Sequence, residues 1–334
     1  MKIYTIKDIA RLAGVSVTTV SRVLNRRPDV NRETRDKVER VMAECHFVGN
    51  ANARGLKQTD SDVVAVILRG RHNPFLTSLA EAIMHYSQGS GTSFLMEFID
   101  EQDDEFQTAL RLTHEKRVKA FIFVGSRIDD RCKVLLGMDI PMVFATAAVG
   151  HEQLARASAV TIDERAMARL AVKHLLDCGH ERIAVFGASR TEGDNLSLRY
   201  QGALDAFREK GLVFDESRYV ETRFSMEGAY ECAREFFLRR PDTTAAFCMS
   251  DSVAMGLIRA LKDLGRTVPD DVSVFGFDGT EMGQFFIPRL CTVEQPVDDI
   301  ARESVRVLMD MFRNNAEPTE VVVKAELKLR ESVK

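Results

Sequence analysis

The sequence predicts two architectures in one chain: an all-α helix-turn-helix head, then an α/β body of two doubly wound parallel-sheet subdomains. Three observations carry this reading. Residues 7–25, KDIARLAGVSVTTVSRVLN, set two short apolar-periodic runs on either side of Gly14. From residue 62 onward, apolar strand-like runs alternate with helical stretches. Residues 1–60 hold 12 Lys+Arg and 7 Asp+Glu, a net +5, whereas the 334-residue chain carries −4, leaving −9 for the remainder.

The totals bound the answer. A chain of 334 residues predicts two or three structural units. Hydrophobic content of 45% and charged content of 29% are those of a soluble globular protein. No apolar run approaches the ~18 residues of a membrane span. MKIYTIKDIA lacks the apolar core of a secretory signal, so a cytoplasmic protein is expected. Cys45, Cys132, Cys178, Cys232, Cys248 and Cys291 are scattered and never spaced as CxxC, which predicts reduced, mostly buried thiols. A basic head on an acidic body points to a polyanionic partner for the head alone.

In the head, Thr5 and Asp8 have the spacing of a capping box. Ile6, Ile9, Ala10 and Ala13 share one face of a first short helix. Gly14 follows where a left-handed turn residue is needed. Ser16 is a ready N-cap for a second helix, with Val20, Val23 and Leu24 inward. Val17, Thr18, Ser21, Arg22 and Asn25 fall on the opposite side. Asn31 caps a third helix with Val38, Val41, Met42 and Cys45 inward. A generic three-helix bundle accounts for the apolar positions. It leaves the polar, small and basic outward face unexplained, and that face fits a DNA major groove.

TIKDIARLAGVSVTTVSRVLN, followed by VNRETRDKVERVM, closely resembles the head of the lactose/galactose-repressor (LacI/GalR) family of bacterial transcription regulators. The resemblance implies that Val17, Thr18 and Arg22 read bases. It implies phosphate contacts or helix caps for Thr5, Ser16, Thr19, Ser21, Asn25 and Thr34, with Asn31 beside them. Residues 50–57, NANARGLK, resemble the family's hinge helix, with Asn50 as N-cap and Ala53, Arg54 and Leu56 matching its ARxL core. An eight-residue helix is too short to stand alone in water. By resemblance Leu56 wedges into the minor groove. Gly49, Asn52 and Gly55 depart from the family's pattern, and Gly55 costs about 1 kcal/mol relative to Ala inside a helix.

In the body, strand-like runs lie at 63–68, 93–99, 120–124, 141–145, 159–162, 182–187, 244–248 and 272–277. Helical stretches include 75–88, 163–178, 199–210, 226–239 and 251–264. Such alternation predicts parallel sheets covered on both faces. HNPFLTSLAEAI, CGHERIAVFG, LRYQGALDAF, SDSVAMGLIRALKDLG, VPDDVSVFGFDGTEM and LCTVEQPVDDIA fall in the order of the family's periplasmic-binding-protein-like core. The resemblance implies a DNA-binding domain at 1–49, a hinge and linker at 50–60 and an effector-binding, dimerising core at 61–334. Within that core it implies an N-subdomain of about 61–161 and 292–319, and a C-subdomain of about 162–291 and 320–334.

Ligands of open α/β sheets bind beyond the strands' carboxyl ends. Candidate effector contacts are therefore Arg69, Asn73 and Phe75 after the first strand, Ser126 and Arg127 after the third, and Thr146 after the fourth. The resemblance adds Arg199, Ser250 and Asp278. The alternatives are a helix cap for Asp278 and a surface salt bridge for Arg199. Arg69, Arg71, His72, Arg127, Arg190 and Arg199 crowd the expected strand ends, which points to an anionic effector such as a sugar phosphate or sugar acid. Alternatively, several are rim charges paired with Glu97, Asp100 or Asp163.

No GxSxG elbow, P-loop, HExxH or GxGxxG fingerprint appears, so neither catalysis nor a cofactor is indicated. His174 and His180 make an unconvincing metal pair. The expected protein is a homodimeric regulator, by resemblance most often a repressor, on a pseudo-palindromic operator. The missing leucine heptads after the last strand-like runs predict a dimer without a coiled-coil tetramer. Competing readings are a solute-transport binding protein and a regulator gated by a protein corepressor.

Overall fold

The structure is a computed structural model that describes residues 6–24, 30–45, 62–70, 72–128, 137, 140–147, 157–188 and 195–334. The chain divides into two compact units, Met1–Ser61 and Asp62–Lys334. In the first, α1 (Ile6–Ala13), α2 (Val17–Leu24) and α3 (Arg32–Glu44) pack around Ile9, Ala10, Ala13, Val20, Val23 and Val38. Gly14, at φ +61°, closes α1, and the Val15 amide donates to the Ala10 carbonyl at 3.0 Å. This left-handed turn is one that a side chain would strain. Ser16 Oγ accepts the Thr19 amide at 3.0 Å, and Asn31 Oδ1 accepts the Thr34 amide at 2.8 Å. Both side chains thus satisfy amides that have no partner within their helices.

The second unit holds two six-stranded sheets. One takes β1 (Val63–Arg69), β2 (Ser93–Ile99), β3 (Val118–Val124), β4 (Met142–Ala145), β5 (Ala157–Ile162) and β11 (Glu320–Val323), in the order β11-β5-β4-β3-β1-β2. The other takes β6 (Ile183–Gly187), β7 (Tyr219–Glu221), β8 (Ala245–Cys248), β9 (Ser273–Asp278), β10 (Cys291–Glu294) and β12 (Glu326–Lys328), in the order β12-β10-β9-β8-β6-β7. All described pairings are parallel except β10 with β12. Strand order reverses beside β1 and again beside β6, so each sheet has a crevice at its carboxyl edge. Strands β4, β5, β6, β8 and β9 are buried throughout, as parallel strands covered on both faces must be.

The first sheet packs against α4 (Pro74–Ser87), α5 (Glu105–Lys116) and α11 (Val297–Asn314). Helices α6 (Glu164–Asp177), α7 (Asn195–Glu209), α8 (Met226–Arg239) and α9 (Asp251–Asp263) accompany the second, with a short α10 (Glu281–Phe285) after β9. Asn73, Asp104, Asp163, Ser225 and Ser250 cap their helices through side-chain oxygens. One apolar core runs continuously from Val64 and Ile122 on the first sheet and Leu308 on α11 to Val185, Phe247 and Phe275 on the second sheet.

The chain crosses between the sheets at Asp163, at Gln295–Pro296 and at residues 324–325. The later two crossings fall beyond the expected 291 and 320. Residues 292–294 stay paired beside Gly276–Asp278 in the second sheet, and 320–323 pair beside Ala159–Ile162 in the first. Leaving the β9–β10 ladder earlier would strand buried backbone donors and acceptors. Strands β7, β10, β11 and β12 lie outside the predicted runs; β7 and β12 have only three residues each, and Thr292 and Glu294 interrupt the apolar pattern of β10. Of the described cysteines, only Cys248 and Cys291 are buried.

Two helix pairs approach closely through glycine. A Cβ on Gly202 of α7 would collide with the Arg165 backbone of α6. One on Gly256 of α9 would collide with the Met226 carbonyl and come within 3.0 Å of the Ala229 Cβ. Overpacking of this kind costs about 1–3 kcal/mol. Gly256→Ala is therefore expected to lower the unfolding free energy of the body by that amount in urea denaturation, with the head's helices unaffected.

Candidate functional site

The outward face of α2 is built by exclusion. Val20 and Val23 are buried, which turns Val17, Thr18 and Arg22 outward, all three exposed, with Ser21 half-buried. Val17 stays 41% exposed despite its apolar side chain. Ser16 and Thr19 hydroxyls meet at 2.8 Å, so both are engaged at the helix start. Asn31 acts as the cap of α3, and Thr34 lies in its first turn. Thr5, Asn25, Asn50, Ala53, Arg54 and Leu56 lie outside the described residues, as do Gly49, Asn52 and Gly55.

A second site lies in the body, in a cleft of about 1460 Å³ at the carboxyl edges of both sheets. It brings together Arg69, Asn73, Phe75, Ser126, Arg127, Thr146, Arg199 and Asp278. Ser250 is not among its lining residues. That side chain accepts the Ser252 amide at 3.2 Å as the α9 cap, and its hydroxyl helps to hold the Asp278 carboxyl down. Arg71 and Arg190 lie outside the described residues. Glu97 pairs with Arg111 at 2.6 Å, and the Asp163 side chain caps α6.

Several lining groups have defined local partners. Arg69 donates to the Glu101 carbonyl. Asn73 accepts the Phe75 amide at 3.0 Å, which fixes its side chain as a cap. Ser126 Oγ donates to Glu105 Oε2 at 3.0 Å, and the Arg127 amide donates to Glu105 Oε1 at 3.1 Å. Buried Glu105 thus fastens the turn after β3. The lining carboxylates are Asp100, Glu101, Glu221, Glu227, Glu231 and Asp278; the lining arginines are Arg69, Arg127, Arg199 and Arg223, and His72 lies among them.

Thr146 and Asp278 are the corresponding strand ends of the two sheets. Both have left-handed backbones, at φ +76° and +121°. Non-glycine residues rarely adopt such angles, and strain of this kind collects at functional sites. Between them runs a buried polar chain. Asn195 of α7 donates to the Thr146 carbonyl and, at 3.3 Å, to Glu164 Oε1. Arg199 Nε donates to Glu164 Oε2 at 2.7 Å, and its Nη1 donates to the Met249 carbonyl at 2.6 Å and lies 3.7 Å from Asp278 Oδ1. The Arg199 guanidinium lies 3.7 Å over the Phe277 ring. Arg199 is therefore in a buried ion pair with Glu164, at once lining the cleft and partnered within it.

Burial pushes the Asp278 carboxyl up to about 7, with Arg199 pulling it back and Asp251 pushing it further up. Asp278 Oδ1 accepts from Gln295 Nε2 at 2.9 Å, while buried Oδ2 has no hydrogen-bond partner among the described residues. Asp251, raised by burial to about 6, accepts Thr292 Oγ1 at 2.6 Å and the Thr280 amide at 2.7 Å. That bracket holds the turn after Asp278. Sequence reasoning singled out neither Glu164, Asn195, Gln295 nor Asp251. The only signal was a polar residue directly after an apolar strand, as in TIDE and VEQP. Among the described residues, no cluster of three His, Cys, Asp or Glu is arranged to hold a metal, and no helix is long and apolar enough to cross a membrane.

Residues 5–50 match the model of bacterial regulatory proteins of the lacI family, and residues 172–333 match the periplasmic binding protein-like domain. The regulator MalR of Clostridium butyricum is 31% identical over 98% of this chain and 98% of its own length. The repressor PurR of Photobacterium profundum is 30% identical over 99% and 98%. The lac repressor dimer bound to operator and the anti-inducer ONPF matches with a TM-score of 0.78 at 25% identity, covering 99% of both chains. The CelR–cellobiose complex matches at 0.74 and 27%, covering 98% of this chain and 99% of that one. With a helix-turn-helix head, a two-sheet ligand cleft and full-length similarity of this degree, the chain belongs to the lacI family of bacterial regulatory proteins, and it is a DNA-binding transcriptional regulator, not an enzyme.

Proposed function

We propose that this regulator is a repressor that binds a pseudo-palindromic operator as a homodimer in the cytoplasm and changes its grip when a neutral sugar occupies the body's cleft. The observation that carries the effector class is Asp278 Oδ2: a buried acceptor at the cleft wall with no hydrogen-bond partner among the described residues. A sugar hydroxyl supplies the donor it lacks. The strained strand ends at Thr146 and Asp278 hold acceptors on both sides of the cleft. The cellobiose held by the similar CelR supports the same class.

The charge balance favours a neutral over an anionic ligand. The described lining has six carboxylates against four arginines, and the most buried arginine, Arg199, is already paired with Glu164. Within that described lining an incoming phosphate would meet more carboxylates than arginines. Arg69, Asn73, Phe75, Ser126, Arg127 and Thr146 form the wall from the first sheet in this reading, with Arg199 and Asp278 opposite. Ser250 supports Asp278 from outside the lining. The division of the core into effector-binding subdomains joined by three crossings is part of the same proposal.

In the head, Val17, Thr18 and Arg22 read base edges, while Ser16, Thr19, Ser21, Asn31 and Thr34 hold helix starts against phosphates. Operator binding by the lac repressor dimer supports this assignment. Thr5, Asn25 and the hinge residues Asn50, Ala53, Arg54 and Leu56 complete the DNA contacts.

Gel-shift selection against fragmented genomic DNA, followed by calorimetry with neutral sugars, sugar acids and sugar phosphates, tests the whole reading; binding of charged sugars alone contradicts the neutral class. Arg22→Ala is expected to lose about 1–3 kcal/mol of discrimination at one operator position, read from binding to single-base operator variants. Asp278→Asn is expected to keep operator affinity and lose the sugar response in the same titration. Its stability has a pH signature. The folded carboxyl titrates near 7, above its unfolded value, so the folded state holds the extra proton between about pH 4 and 7. This group's contribution therefore declines as pH rises through that window. Thermal denaturation should show Asp278→Asn gaining on the wild type from pH 5 to pH 8.

A further inference from the structure

We propose that Gln295 is a positioning residue that couples occupancy of the cleft at Asp278 to the angle between the two sheets. The inference rests on the sugar-effector reading above.

Gln295 is the last residue before the second crossing. Glu294 ends β10 in the second sheet, and Val297 opens α11, which packs on the first. The side chain is buried, and it meets Asp278 twice. Its Nε2 donates to Asp278 Oδ1 at 2.9 Å, and its backbone amide donates to the Asp278 carbonyl at 3.1 Å. Gly279, next in the turn, lies so close to the crossing strand that a Cβ there would fall 2.5 Å from Glu294 Cα. The Asp278–Gly279 turn and the segment Glu294–Gln295 therefore move as one body.

The next residue limits where such movement goes. Pro296 has its φ fixed by the ring, so the crossing has few soft dihedrals before α11. The amide is also incompletely satisfied: Gln295 Oε1 has no partner among the described residues, and neither has Asp278 Oδ2. Two buried oxygens without partners among the described residues are costly, and a ligand hydroxyl at Oδ2 relieves one of them. Drawing the carboxylate toward that hydroxyl alters its bond to Gln295 Nε2, and through Pro296 the seating of α11 on the first sheet. Glu164, one residue past the first crossing, reaches the same carboxylate through Arg199. Asp278 thus communicates with two crossings, and only the link through Gln295 is direct.

The test uses the full-length protein, the operator fragment it selects, and a panel of neutral mono- and disaccharides that includes cellobiose. Sugar dissociation constants come from calorimetry, and operator affinity is measured with and without saturating sugar. Gln295→Met keeps the length of the side chain and removes its donor. The expected result is sugar affinity within about fivefold of wild type and sugar-free operator affinity within about twofold. The sugar-induced change in operator affinity should fall from the ~5–150-fold usual for allosteric coupling to less than about twofold. Gln295→Leu should behave alike. A full sugar response in either variant overturns the coupling role and leaves the effector reading standing. Loss of sugar binding in both overturns it too, by making Gln295 a ligand contact. A residue that tolerates neither replacement without unfolding is structural, which also overturns it. A wild type that binds operator yet ignores every sugar overturns the effector reading itself.

Discussion

One buried positive charge organises the ligand-binding unit. Arg199 is held between Glu164, which follows the first crossing, and Asp278, which ends β9. A guanidinium taken out of water must be met by charge and hydrogen bonds, or the cost runs to several kcal/mol. Glu164 meets it at two nitrogens, the Met249 carbonyl at a third position and the Phe277 ring at its face. Those partners come from a helix start, a strand-end loop and a strand. Satisfying one side chain therefore fixes the relative placement of α6, α7, β8 and β9 around the cleft.

The arrangement leaves Asp278 under-compensated. Glu164 holds the arginine at two nitrogens, and the second carboxylate is left with one amide and an oxygen that has no partner among the described residues. Burial then favours its protonated form. A site in this condition is poised: a neutral donor supplies the hydrogen bond that its buried oxygen lacks among the described residues. Glu105 shows the opposite condition, since both of its oxygens accept from the turn after β3. Strained backbone at Thr146 and Asp278 completes the picture, since the surrounding hydrogen bonds hold both residues where no isolated peptide would stay.

The head follows a simpler logic. Six buried apolar side chains set three helices, and two side-chain caps begin two of them. The outward residues of α2 then take no part in that core, and their composition reflects recognition rather than stability. The residues that cap helices in the structure, Ser16 and Asn31, were legible as caps from spacing alone. So was the turn at Gly14, because only a residue without a Cβ enters that region at little cost.

The sequence by itself determined the elements. Apolar periodicity located the helices of the head and eight strands of the body, and strand–helix alternation dictated parallel sheets with a cleft at their carboxyl ends. Those are local or nearest-neighbour properties, written in residue type and spacing. Tertiary structure decided what spacing cannot encode. It extended β10 to Glu294 and so moved the second crossing to Gln295, because a backbone ladder continues as long as a partner strand is present. It turned Ser250 from an expected ligand contact into a helix cap, and it gave Arg199 a buried carboxylate from 35 residues away. Charge pairing across such distances depends on which segments fold together, and in the described lining the four arginines stand among six carboxylates contributed by both sheets' strand ends and the helices beside them.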